Sequence, residues 1–266
     1  MNYIQRLNNT WIMKLILPAL VAVLFASCSS KHKTDLENQG IRGNVSKIIV
    51  SNYDASEKFG EVQKGRLKST DVQDVNEDGN NFKNTYTSFY DHADDTIPGI
   101  KRTNDVFVST SRFNDKKQRI AELNDKNQII TKFIYNDEGK VSVINNFNDG
   151  KLSSKAKYSF ADGKLTGLKE YNADGGLNEN VKYTTDESGW VTEEQRFTTD
   201  NELKSKLTFS IKDKLVMGYK RYIGNKLDET YEFKYPKFDD HKNWIVQYRY
   251  RNNEIEGITE RKLIYK

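Results

Sequence analysis

From Phe113 onward the chain repeats one small pattern: an aromatic or aliphatic residue, a short polar run rich in Asn, Asp, Gly and Lys, then an aliphatic residue. The successive pairs are Phe113 and Ile120, Leu123 and Ile129, Tyr135 and Val141, Phe147 and Leu152, Phe160 and Leu165, and Tyr171 and Leu177. They continue as Tyr183 and Val191, Phe197 and Leu203, Phe209 and Leu215, Tyr222 and Leu227, Tyr235 and Ile245, and Tyr250 and Ile255. Most of the second members lie 11 to 14 residues apart, and a fixed short period marks a repeated structural unit.

Asn148-Asp149-Gly150, Ala161-Asp162-Gly163 and Asp174-Gly175 put Gly after Asp, a pair that tolerates the positive φ of tight hairpin turns. Removing about four residues for each turn leaves strands of about seven or eight, an ordinary length. One turn per strand makes neighbours antiparallel. The pattern therefore predicts an all-β fold, a long antiparallel meander of strand-turn units of about 12 residues in a twisted or curled sheet. The period leaves open whether the strip stays open, curls or closes.

Alternation is clearest in Tyr231-Glu232-Phe233-Lys234-Tyr235, which puts three aromatics on one face and two charges on the other. Val246, Tyr248 and Tyr250 repeat it in the next strand. Elsewhere the apolar residues gather at strand ends. Twelve cross-turn pairs at about 0.5 kcal/mol each would supply about 6 kcal/mol, so a thick two-layer core is not required.

Before the repeats, Val45 to Tyr53 and Asp105 to Phe113 read as strands, and Thr85 to Tyr90 as a weaker one, with a break at Pro98-Gly99. No capped amphipathic helix is expected after the N-terminal segment. No linker interrupts the pattern, so residues 44–266 form one domain.

The N-terminus carries a different signal. Lys14 precedes an apolar run from Leu15 to Ala26, too short for the roughly 20 residues that span a bilayer but right for a signal-peptide core. Ala26-Ser27-Cys28 at its end resembles the bacterial lipoprotein signal, in which the cysteine becomes an acylated N-terminus; Phe25 stands where an aliphatic residue is usual. Cys28 is the only cysteine, so the body of an exported protein uses no disulfide and its one thiol sits where acylation would consume it. Residues 1–27 are then the signal and 28–43 a lipidated polar tether, reaching at most ~50 Å from Ser29 to Gly43. By the same resemblance, Ser29 suits outer-membrane sorting, and the first charges, Lys31 and Lys33, favour a periplasm-facing protein over a surface-exported one.

Phe133-Ile134-Tyr135-Asn136-Asp137-Glu138-Gly139-Lys140-Val141 resembles the YD repeat of Rhs-type proteins, with Asn136 in place of the repeat Asp. Phe238-Asp239-Asp240-His241-Lys242-Asn243-Trp244-Ile245 resembles the Gly-Asn-Trp variant of small repeat lipoproteins of Gram-negative bacteria, with Lys242 in place of Gly. The resemblance covers residues from about 113 to 266 in degenerate copies. It implies a β-hairpin strip and no catalytic residue.

Composition narrows the function classes. A formal charge of +4, falling to +2 without Arg6 and Lys14 of the signal, offers little attraction to phosphate, so no nucleic-acid partner is expected. Asp74, Asn76, Asp78 and Gly79 match the first half of a calcium loop, but the twelfth position is Thr85, not Glu, and an acidic turn is expected. His32, His92 and His241 are too scattered for a metal, Glu193 and Glu194 point to opposite faces of a strand, and the Ser30 to Lys33 spacing falls in the tether. No catalytic residue, cofactor or metal is therefore assigned.

What remains is a non-enzymatic, lipid-anchored protein of the cell envelope whose β-repeat surface binds or scaffolds, with free sheet edges open to a protein partner. The alternative is a glycan-binding module using Trp190, Trp244 or the ladder Tyr231, Phe233, Tyr235, Tyr248 and Tyr250 as a stacking platform. Metabolic labelling with palmitate tests the anchor: Cys28→Ser should lose label and leave the membrane fraction, and retained label would contradict the assignment.

Overall fold

The computed structural model describes residues 33–89 and 104–266. It is an all-β antiparallel meander, as the period predicts, and it closes. Among the described residues, sixteen strands pair strictly in sequence order, and the first then pairs with the last. The strands are β1 (Val45–Lys58), β2 (Glu61–Val75), β3 (Asn81–Ser88), β4 (Asp105–Phe113), β5 (Arg119–Asn124), β6 (Ile129–Tyr135), β7 (Val141–Asn148) and β8 (Lys151–Ala161). They continue with β9 (Lys164–Asn172), β10 (Leu177–Thr185), β11 (Val191–Phe197), β12 (Leu203–Lys212), β13 (Leu215–Ile223), β14 (Lys226–Phe238), β15 (Trp244–Arg251) and β16 (Glu254–Tyr265). Closure sets Ile48 opposite Leu263, Ser51 opposite Glu260 and Asn52 opposite Thr259, so the expected curled sheet has no free edge.

The cross-turn pairs explain why the strip bends. Leu123 and Ile129, Tyr135 and Val141, Phe147 and Leu152, and Phe160 and Leu165 are register partners. So are Tyr171 and Leu177, Phe197 and Leu203, Tyr222 and Leu227, and Tyr250 and Ile255. Each has a register shift immediately beside it, and such bulges bend a strand and increase its twist. The other four expected pairs are not partners: Phe113 faces Arg119, Tyr183 faces Glu194, Phe209 faces Tyr219, and Ile245 is skipped where Phe238 meets Trp244.

Turn chemistry is local. Asp149-Gly150 and Asp162-Gly163 both have positive φ at both residues, as tight two-residue hairpins demand. Longer turns use an Asx motif: the Asn114, Asn124, Asn136, Asp186 and Asp239 side chains each accept the backbone N–H four residues on.

Strand alternation sorts the side chains. One face carries the buried Glu179, Val181, Tyr183, Glu194 and Glu229 and is the inner one. The other carries a lysine from each even-numbered strand from β6 to β14, lying over an aromatic at the end of the next: Lys132 over Phe147, Lys157 over Tyr171, Lys182 over Phe197, Lys206 over Tyr222 and Lys234 over Tyr250, at 4.4 to 5.5 Å. Buried apolar residues form two clusters rather than one thick core, around Leu168 and Val181 and around Val45 and Ile48.

Two expectations change in the first half. β2 is a full strand although its apolar positions are sparse, and it pairs along β1 and β3. The C-terminal part of the stretch read as tether is folded: α1 (Asp35–Asn38) is one helical turn with a capping box between Thr34 and Glu37. Leu36 and Ile41 enter the Val45 and Ile48 cluster, which includes Leu263 and Tyr265. Asp35 accepts from Arg119 of β5 at 2.5 Å and from the Asn81 N–H at 2.8 Å. At the other end, Asn243 in the β14–β15 turn brackets the Arg42 backbone, accepting from its N–H at 2.8 Å and donating to its carbonyl at 2.9 Å. Residues 34–43 thus lie across the mouth of the barrel over the arc from β14 to β5. Four residues cannot form a helix alone, so packing supplies what propensity does not.

Leu36→Ala should therefore lower unfolding stability by about 2–3 kcal/mol in a urea titration. A tether would give no change.

Candidate functional site

With no edge to offer, the barrel presents an outer wall, two rims and a lumen. Inward side chains such as Ile144, Asn146, Ser154, Ala156 and Glu170 are only half-buried, so the lumen is open. Barrels of this strand number commonly leave an aqueous interior.

The lining differs around the ring. From β1 to β8 it is largely amide and hydroxyl: Asn52 donates to Ser69 at 3.0 Å and accepts from Thr259 at 2.8 Å, and Asn146 donates to Ser154 at 3.0 Å. From β12 to β15 it is aromatic and ionic. Tyr219 stacks on Tyr231 with ring centres 4.6 Å apart, flanked by Phe209 at 6.0 Å and Phe233 at 6.1 Å. Gly218 lets the strands approach there, since a Cβ would lie 2.2 Å from the Tyr231 carbonyl oxygen. Beside the rings, Arg221 pairs with Glu229 at 2.7 Å, Arg251 also pairs with Glu229, and Arg249 pairs with Glu256 at 2.7 Å.

At the mouth crossed by residues 34–43, Arg261 stacks on the Trp244 ring at 3.6 Å and donates to its carbonyl at 3.0 and 3.1 Å. Burial pulls the Arg261 guanidinium down to about 10. Tyr235, 5.6 Å from the indole, donates to the Val216 carbonyl at 2.7 Å.

A third group lies on β8 to β11. Glu170 and Glu179 sit directly opposite each other on the inner face, an arrangement that costs stability. Arg196 bridges Glu179 at 2.7 Å and Glu194 at 2.6 Å. Burial, and then Glu179, push the Glu170 carboxyl up from its ordinary value. Burial also raises the Tyr158 phenol to about 12.

The predicted ladder does not form one platform. Tyr231 and Phe233 face inward opposite Arg251 and Arg249, whereas Tyr248 and Tyr250 face outward opposite Lys234 and Glu232. Adjacent strands of the barrel register these two sets on opposite faces, which each strand's own alternation does not reveal. Phe209 and Tyr219 take the inner places instead. Trp190 is half-buried beside the Asp186 turn and Trp244 is half-buried under Arg261.

In the calcium-like loop, Asp74 pairs with Lys47 at 3.0 Å, Asp78 pairs with Lys117, and Asn76 accepts from the Asp78 and Asn80 N–H groups. These oxygens serve a turn. His241 stacks on Tyr265 at 4.1 Å. Glu193 and Glu194 do face opposite sides: Glu194 meets Arg196 inside, and Glu193 accepts from Gln195 on the outer side. Cys28, His32, His92, Ser30 and Pro98-Gly99 lie outside the described residues.

The chain matches no protein-family model and no curated protein. Among solved structures it is similar to a porin-like protein from Bacteroides uniformis, with 12% identity over 83% of this chain and 98% of that one and a TM-score of 0.53. A porin-like protein from Bacteroides vulgatus is matched at 10% identity over 84% of this chain and 99% of that one, with a TM-score of 0.43. The first likeness shows the fold, a closed antiparallel barrel.

Relieving the like-charge pair gives a test of the inner-wall electrostatics. Glu170→Gln should raise unfolding stability by about 0.5–1 kcal/mol at neutral pH. A raised native carboxyl stabilises the fold when protonated and loses that contribution as pH rises through its native value. The advantage of Gln should therefore vanish in acid, below the ordinary glutamate range. Equal stability of the two proteins at neutral pH would refute the account.

Proposed function

We propose that the chain is a non-enzymatic, lipid-anchored protein of the cell envelope that binds a ligand inside a barrel standing in water. The outer wall supports the last point. A membrane-spanning barrel needs an outward apolar band about 25 Å tall, because a Lys at the bilayer midplane costs about 2–4 kcal/mol. Outward positions here include Lys132, Lys157, Lys182, Lys206 and Lys234, well inside their strands. Five such residues set a cost that no lipid-facing wall would carry.

Closure removes the sheet edges that a scaffolding partner would extend, so binding moves from edges to the lumen. The observation that carries the glycan reading is the inward cluster of Phe209, Tyr219, Tyr231 and Phe233 beside Arg221, Arg249 and Glu229. Aromatic faces accept the apolar side of a sugar ring while neighbouring charged groups bond its hydroxyls. With an acyl chain on Cys28, the rim crossed by residues 34–43 faces the outer membrane, and the opposite mouth opens into the periplasm.

Binding of neutral oligosaccharides, surveyed on an array and measured by calorimetry, checks this. Tyr219→Ala and Tyr231→Ala should each weaken the best ligand about five- to tenfold, in line with about 1 kcal/mol per aromatic contact. An array with no bound member, or binding unchanged in the double variant, would remove the glycan reading.

A further inference from the structure

The inner wall from β8 to β12 carries a charge arrangement that the aromatic cluster does not explain. Of three neighbouring carboxylates, Glu179 and Glu194 pair with the internal guanidinium of Arg196, and Glu170 does not. Lys204, 64% exposed, reaches Glu179 at 3.5 Å. Glu170 forms no ion pair among the described residues, yet it stands directly opposite Glu179 across the β9–β10 pairing. Like charges so placed are kept only at a cost.

A second observation points the same way. Tyr183 is 7% exposed, and its hydroxyl has no hydrogen-bond partner. It lies opposite Glu194 on the inner face, within electrostatic reach of Glu194, Tyr158 and Glu170. A buried hydroxyl left unpaired forfeits its hydration, about 1–3 kcal/mol. Leu168 and Val181, packed with Tyr158 and Phe209, form an apolar floor beside these groups.

We propose that this sector binds a ligand bearing a protonated amine on an apolar body, with the ammonium against Glu170. The ammonium would supply the cation that Glu170 lacks, and its further N–H groups would meet the Tyr183 hydroxyl oxygen. The apolar body would lie along Ala156 and Tyr158, which are half-buried, face Glu170 and Leu168 across the β8–β9 pairing and pack over Leu168 and Val181. The proposal rests on the lumen reading above only in requiring the lumen to admit solutes; it needs neither a glycan nor the Tyr219 and Tyr231 stack.

Calorimetry with n-hexylammonium as the probe and n-hexanol as its uncharged counterpart tests it on the full acylated protein in detergent. The protein should bind the ammonium about tenfold or more tightly than the alcohol, the size of one charge-assisted hydrogen bond. Glu170→Gln should erase that difference while remaining folded by circular dichroism, and Tyr183→Phe should weaken the ammonium alone. Asn52→Ala, on β1 across the barrel, should leave it unchanged. No ammonium binding, or equal binding by Glu170→Gln, would overturn the proposal. Loss of oligosaccharide binding with ammonium binding intact would overturn only the glycan reading.

Discussion

The backbone pairing of β1 with β16 is the interaction on which the rest of the molecule depends. It joins residues about two hundred positions apart in the chain, Ser51 with Glu260 and Asn52 with Thr259. Without it, the meander would keep two edges with unpaired N–H and C=O groups. With it, the sheet has an inside. The bulges beside eight of the cross-turn pairs favour that closure, because each bends its strand and increases its twist.

Having an inside changes the meaning of alternation. Alternate positions on each strand now belong to an outer wall and to an inner one that faces the lumen. Lysine over an aromatic ring recurs on the outside in every second hairpin from β6 to β15. Carboxylates and arginines collect inside, where Arg196, Arg221 and Arg251 bind glutamates buried to 8% exposure or less. Residues 34–43 exploit the same geometry: Leu36 reaches the apolar start of β1 and Asp35 reaches Arg119 on β5 because both lie on the concave face.

The meander was legible because its causes are local. Asp-Gly turns, the aromatic before each turn and the aliphatic after it all act within a dozen residues, and eight of the twelve pairs stand in register. Closure was not legible, since bulges and the β1 to β16 contact leave no residue signature at that range. β2 was missed because Glu61 to Val75 has few apolar positions, its pairing resting on backbone bonds to β1 and β3. The helix was missed because its support comes from Gly79, Asn81 and Arg119, far along the chain, although Thr34 and Glu37 at capping-box spacing are a visible cue. The inner aromatic cluster was half seen: Tyr231 and Phe233 stood out by alternation, while Phe209 and Tyr219 join them only through the register of β12, β13 and β14.

Closure is open to direct chemical test by disulfide trapping in a Cys28→Ser background. Successive pairs in an antiparallel ladder alternate between wide and narrow spacing, so one of two neighbouring cysteine pairs must be close enough to bond. The pairs are Ser51→Cys with Glu260→Cys and Asn52→Cys with Thr259→Cys. The barrel predicts that at least one oxidises in the folded protein to a species of altered gel mobility that reverts on reduction. Failure of both, with folding intact by circular dichroism, would mean that the sheet stays open and that there is no lumen.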